Sequence, residues 1–123
     1  MNDNQLIYEA YTAPGNAEGV TDELGNKFWF KNHKLHRVGG PAAVYVDGQQ
    51  TWMQRGMIHR EDGPAVINPT QEGISPWYLW DEPYEEMEAW AEAVLKMHHK
   101  PHDADAVAEF LRPILQKQTK EMI

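Results

Sequence analysis

Four consecutive residues, His59-Arg60-Glu61-Asp62, hold a base, a fixed cation and two carboxylates. These are the side chains from which a small hydrolase or nuclease, using His59 with Glu61 or Asp62, would build general acid–base chemistry. On a strand, neighbouring side chains point to opposite faces, so His59 and Glu61 share one side and Arg60 and Asp62 the other. Such a set converges only if the chain bends. A second group, His98, His99 and His102, contains the i, i+4 spacing of helical metal ligands. Pro101 lies inside it and no cysteine or acid completes a ligand set, so neither a metal nor another cofactor is expected. Trp29, Trp52, Trp77 and Trp80 offer a stacking platform, yet regularly spaced aromatics in a small sheet are expected to form its core. The run Asp81, Glu82, Glu85, Glu86, Glu88 and Glu92 has no base within it, and reads as a solvated face or as a phosphate-like surface turned toward a basic groove. The chain has no phosphate-binding glycine loop and no local signature of a nucleophilic triad.

The elements that must position these residues are set by an internal repeat. The stretch from Gly25 through Trp29, His36 and Arg37 to Pro41-Ala42 recurs from Gly48 through Trp52, His59 and Arg60 to Pro64-Ala65, each matched pair 23 positions apart. Val20 to Glu23 occupies the place of a degenerate opening copy. A third copy begins at Trp77-Tyr78-Leu79-Trp80, displaced by two residues through an insertion at 68–76. Within each full copy, Lys27 to Lys31 and Thr51 to Gln54 alternate apolar and polar residues as half-buried strands do. Asn32-His33 and Arg55-Gly56 sit where two-residue hairpin turns belong. Leu35 to Arg37 and Ile58 to Arg60 are expected as return strands, the glycine–proline pairs as turns, and Ala42 to Val46 and Ala65 to Ile67 as further strands. The predicted product is an antiparallel meander gaining two strands per repeat, with each tryptophan buried against its neighbour's. His and Arg recur at the same place in both copies, whereas Glu61 and Asp62 are Val38 and Gly39 in the first. Recurrence of this kind marks packing, so Trp29, His36, Arg37, Trp52, His59, Arg60 and Trp77 are expected to be scaffold; Asp62, which does not recur, is expected to join them by bonding Arg60 or its own turn, and no catalytic residue is assigned.

Ahead of the repeat, Leu6 to Tyr11 alternates as a strand would and Thr12 to Gly19 reads as a loop. After it, Asp81-Glu82-Pro83 is expected to open a helix, with an acidic cap and proline in the first turn. Tyr84, Met87, Trp90, Ala91, Val94 and His98 give that helix its apolar spacing, and Pro101 ends it. Asp103 caps a second helix with an apolar stripe of Val107, Phe110, Leu111, Ile114 and Leu115. Pro113 should kink or end it, and 116–123 should fray. The expected class is α+β: a β-meander of tandem hairpin repeats followed by two C-terminal helices. A single domain is expected over 1–123, comprising a strand and loop at 1–23, the repeat sheet at 24–81 and a helical annex at 82–123.

The chain of 123 residues carries a formal net charge of −8 and no cysteine. Between Leu24 and Trp80 six bases (Lys27, Lys31, Lys34, Arg37, Arg55, Arg60) face four acids (Asp47, Glu61, Asp62, Glu72), a net of +2, so the flanks carry −10. An acid excess argues against direct nucleic-acid binding, which draws its affinity from cationic neutralisation of phosphates, and leaves a basic protein partner open. The polar opening residues lack the pattern of a secretory signal and no apolar run approaches a membrane span, so a cytoplasmic protein is expected.

Tandem Trp-x-x-Asn-Gly-x-x-His-Arg-x-Asp-Gly-Pro-Ala units resemble the MORN-like repeat variants of accessory proteins from tailed phages and large viruses. The second copy matches except for Arg55 at the Asn position. The first keeps Asn32 but has His33 for Gly and Gly39 for Asp. The resemblance covers roughly half the chain and implies an antiparallel hairpin array of viral origin; it names no activity. Together these features lead to the expectation of a non-enzymatic interaction protein in the host cytoplasm. It would bind and inhibit a host defence protein, such as a CRISPR or restriction complex, through Asp81 to Glu92 acting as a nucleic-acid mimic. The competing class is the small hydrolase or nuclease; a third is a structural repeat protein that oligomerises through a sheet edge.

Overall fold

The computed structural model of the chain describes residues 18–68 and 75–122. The strand expected at Leu6 to Tyr11 and most of the insertion before Trp77 lie outside the described residues. Antiparallel strands come first and two helices follow: β1 (Glu18–Thr21), β2 (Lys27–Lys31), β3 (Lys34–Leu35), β4 (Ala43–Val44), β5 (Gln50–Thr51), β6 (Met53–Gln54), β7 (Met57–Ile58), β8 (Val66–Ile67), β9 (Trp77–Leu79), β10 (Glu82–Tyr84), α1 (Met87–Met97) and α2 (Ala104–Met122). The α+β class with tandem hairpins ahead of a helical pair is therefore observed. Its strands are distributed over a six-stranded sheet, β1-β2-β4-β5-β8 with β3 beside β2, and two separate hairpins, β6–β7 and β9–β10.

The sequence period is a period of the backbone. Val20↔Phe28 and Thr21↔Lys27 in β1–β2 recur 23 residues on as Ala43↔Thr51 and Val44↔Gln50 in β4–β5. The β2–β4 pairing of Phe28 with Ala43 recurs as Thr51 with Val66. The degenerate opening copy is thus structurally complete at its paired strands, and Gly19, expected in a loop, belongs to β1. There its missing side chain matters: a Cβ would lie 2.8 Å from Trp29 Nε1.

Turn chemistry fixes the hairpins. Asn32 and His33 (φ 50° and 68°), Arg55 and Gly56 (55° and 77°) and Trp80 and Asp81 (47° and 69°) all take the left-handed region, the combination a two-residue type I′ turn requires. The third pair corrects the expected helix start. Asp81 is a turn residue, Pro83 lies in β10 opposite Tyr78, and α1 begins only at Met87 after an extended Glu86 that makes no side-chain cap. Proline is accommodated because β10 pairs with β9 alone. The repeat region therefore runs three residues past the expected boundary.

The return strands are also shorter than expected. At Arg37 and Arg60 the chain leaves its own hairpin for the next: Arg37 N–H donates to Met53 O at 3.0 Å and Arg60 N–H to Tyr78 O at 3.3 Å. The strand expected at Thr51 to Gln54 divides at Trp52, whose N–H bonds Ala65 O at 2.7 Å while its neighbours pair elsewhere.

Two apolar regions result. Phe30, Ala42, Ala43, Ala65 and Val66 are buried in the sheet. Trp77, Leu79, Trp90, Ala91, Val94, Leu111 and Ile114 form the cluster where the third hairpin meets both helices. The Trp90 ring lies 4.7 Å from Trp77 and its Nε1–H donates to Arg60 O at 3.1 Å, tying α1 to the second repeat. Asp103 caps α2 through Ala106 N–H at 2.9 Å, as its position predicts. Pro113 does not end that helix, which continues to Met122; one lost backbone bond is outweighed by burial of Leu111 and Ile114 on either side. No described helix is long and apolar enough to cross a membrane.

Candidate functional site

Each full repeat builds the same sandwich. Arg37 lies 4.0 Å from the centre of the Trp29 ring and Arg60 lies 3.6 Å from that of Trp52. Both are cation–π contacts. Each guanidinium donates from Nη1 to the carbonyl of the repeat's proline, Arg37 to Pro41 at 3.2 Å and Arg60 to Pro64 at 3.0 Å. The conserved shape of the copies explains the glycine: a Cβ at Gly40 or Gly63 would stand 2.7 or 2.8 Å from the arginine Cζ. In each full copy the tryptophan ring is faced by the arginine of its own repeat. Trp29 and Trp52 are half-buried, Trp77 is core, and Trp80, 37% exposed, stacks on His59 at 3.6 Å.

The histidines are joints between repeats. His36 Nδ1 accepts from Arg55 N–H at 3.0 Å, and His59 Nδ1 accepts from Trp80 N–H at 3.1 Å. Each imidazole thus holds the first turn residue of the next hairpin. Nδ1 must then be unprotonated and the proton sits on Nε2. In His59 that proton goes to Glu61 Oε2 at 2.6 Å, so both ring nitrogens are engaged and the side chain is fully buried. The Glu61 carboxylate bonds His98 Nε2, at the C-terminus of α1, with its other oxygen. Burial alone would raise the Glu61 carboxyl, but hydrogen bonds from His98 and His59 prevail and hold it below the usual carboxylate range. In His36, burial and the charges of Lys31 and Arg55 hold the imidazole below its usual value.

The structure does not bring His59, Glu61 and Asp62 to one open cleft. Asp62 lies on the other side with Arg60, accepting from Nε at 2.8 Å, as strand alternation requires. A shallow depression of about 600 Å³ is lined by Trp52, Arg60, Asp62, Ile114 and Lys117 among others, but neither His59 nor Glu61 reaches it. His59 offers neither a free acceptor nitrogen nor exposure to a substrate, which removes the geometric basis for using it as a base. The C-terminal histidines do not converge: His98 turns to Glu61 while His102 Nδ1 faces the Lys100 carbonyl at 3.2 Å. Among the described residues no group of three His, Asp or Glu side chains is placed to hold a metal ion.

The acids expected on one helix are spread over four kinds of backbone. Asp81 is in the turn, Glu82 in β10, Glu85 and Glu86 in the bend before α1, and Glu88 in its first turn; all five are exposed. Asp81 also accepts from Ile58 N–H at 2.7 Å. Glu92 differs, being half-buried and paired with Lys96 at 3.4 Å. Glu85, Glu86 and Glu88 have no cationic partner among the described residues. The Glu61–His98 link was not foreseen. Its signal in the sequence is that Glu61 is specific to the second copy, where the first has Val38.

No family model, no curated protein and no solved structure matches this chain.

Proposed function

We propose that the chain is a non-enzymatic interaction module that binds a basic surface of a host nucleic-acid-handling protein. The phage accessory proteins its repeat resembles suggest a defence complex in the host cytoplasm as the target and inhibition as the result. One observation carries the reading: Glu85, Glu86 and Glu88 stand exposed at the junction of the third hairpin and α1, with no cationic partner among the described residues, while the repeat's histidines are consumed as joints and its arginines in contacts to their own tryptophans. A rigid hairpin and a helix start hold this negative charge in place, which favours fast, salt-sensitive association with a cationic groove. Asp81 and Glu82 extend the surface and Glu92 does not, since it is neutralised by Lys96.

The test is affinity capture from host lysate with the tagged chain and with the E85K/E86K/E88K variant, followed by calorimetry on the captured protein. The reading requires that the triple variant keep its fold and lose the partner by at least about 100-fold, as expected when several rim charges are inverted together. A partner retained equally by both proteins would overturn it.

A further inference from the structure

We propose that the first repeat carries a docking site for an acidic peptide segment of a partner protein, in which a partner carboxylate accepts from His36 Nε2–H beside Lys31, Lys34 and Arg55. The second repeat shows how such a site is filled. There His59 accepts the next turn's N–H at Nδ1 and donates from Nε2 to Glu61 at 2.6 Å. His36 makes the first of these bonds, from Arg55 N–H at 3.0 Å, so its proton also sits on Nε2. Its own repeat supplies no carboxylate to take that proton. Val38 stands at the position of Glu61, 73% exposed, and His36 Nε2–H has no acceptor among the described residues.

The cations change in step with the lost acid. Gln54 and Met57 of the second copy are Lys31 and Lys34 in the first, and the turn residue held by the imidazole is Arg55 rather than Trp80. Lys31 and Lys34 are directly opposed across β2–β3, a like-charge pairing that costs the hairpin stability. Strand alternation puts His36 on their side, and its imidazole feels the charges of both Lys31 and Arg55. The Lys34 stem runs against the second turn, its Cδ 3.4 Å from where a Cβ on Gly56 would be. None of the three cations is paired with a carboxylate among the described residues. Folding gains nothing from this grouping, whereas an arriving carboxylate is held by charge-assisted hydrogen bonds. A polyphosphate needs a longer cationic track and is opposed by the −10 charge of the flanks, so the geometry favours a side-chain carboxylate such as the one the second copy uses. Glu85, Glu86 and Glu88 take no part, so the inference does not rest on the partner proposed above.

Titration of the ¹⁵N-labelled full chain with a capped tetraglutamate peptide in low-salt buffer tests it, with a capped tetraglutamine peptide as the uncharged control. The His36 Nε2 resonance should move on saturable binding of tetraglutamate alone, while that of His59, already bonded to Glu61, stays in place. V38E supplies the carboxylate from within the repeat. It should weaken tetraglutamate by about ten-fold or more, and move the His36 Nε2 signal of the free protein toward that of the peptide-bound wild type. K31Q/R55N, which borrows the residues found at the equivalent positions Gln54 and Asn32, should also weaken the peptide by about ten-fold with the turn retained. The amide spectrum of each variant reports its fold, and either variant decides if the other is lost. A His36 signal unmoved by tetraglutamate, wild-type affinity in the folded variants, or tighter binding of an oligothymidylate of equal charge would each overturn the inference.

Discussion

Replacing Gly63 by alanine should unseat the Arg60–Trp52 sandwich. The added Cβ would sit 2.8 Å from Arg60 Cζ and 3.0 Å from Nη1. Such a clash is cheap when a flexible side chain can swing away, but Arg60 has little room to do so. Its side chain is 7% exposed and is held by the Trp52 ring at 3.6 Å, by Pro64 O at 3.0 Å and by Asp62 at 2.8 Å. Displacing it forfeits a cation–π contact of about 1–2 kcal/mol and a charge-assisted bond to a carbonyl of similar size. The Asp62 pair adds little because that carboxylate is 76% exposed. The loss should be about 2–3 kcal/mol, or a fall in Tm of about 10–20 °C for a domain near 100 residues. Gly40→Ala makes the same clash with Arg37, which is half-buried, lacks the acid and sits farther from its ring, so the cost there should be about 1 kcal/mol. Urea unfolding followed by tryptophan fluorescence measures both. A Gly63→Ala cost below about 0.5 kcal/mol, or one smaller than that of Gly40→Ala, would refute the packing logic.

His59→Ala should destabilise by about 2–4 kcal/mol in denaturant unfolding, because it empties a fully buried site and leaves Trp80 N–H without its acceptor; His36→Ala, at a half-buried site, should cost less. Stability should fall with acid in two stages. His36 is held below its ordinary value of 6.5, so the unfolded chain takes that proton first and stability is lost as pH drops from there. Glu61 is held below its ordinary 4.5, so its contribution is present above that value and is lost beneath it; Glu61→Gln should flatten the second stage in a thermal-melt pH series and leave the first. Asp103→Ala should lower helicity and cost about 1 kcal/mol through loss of the Ala106 cap, with no change in the hairpins' amide exchange.

What could be read from the sequence was whatever the repeat states twice. The 23-residue period, the turn at Arg55-Gly56 and the assignment of His36, Arg37, His59 and Arg60 to scaffold all follow from comparing two copies. The third copy was harder because Trp80-Asp81 replaces Asn or Gly in a left-handed turn, and because Asp-Glu-Pro is also a good helix opening. Local propensity favoured the helix; the Ile58 backbone, which bonds both Asp81 N–H and its carboxylate, decided for the hairpin. The arginine on each repeat tryptophan was likewise hidden, since spacing shows that aromatics recur but not what covers their rings. The acid run was found as a surface, though on a turn, a strand and a bend as well as a helix.

The proposed placing of function beyond Trp77 rests most on His59 being a joint between repeats. Long-range ¹H–¹⁵N correlation spectra of the imidazoles at neutral pH test this directly. The account predicts for His59 a single neutral tautomer with the proton on Nε2, and a through-hydrogen-bond coupling from Nδ1 to the Trp80 amide. A proton on Nδ1, or averaging between tautomers with no coupling to Trp80, would contradict it.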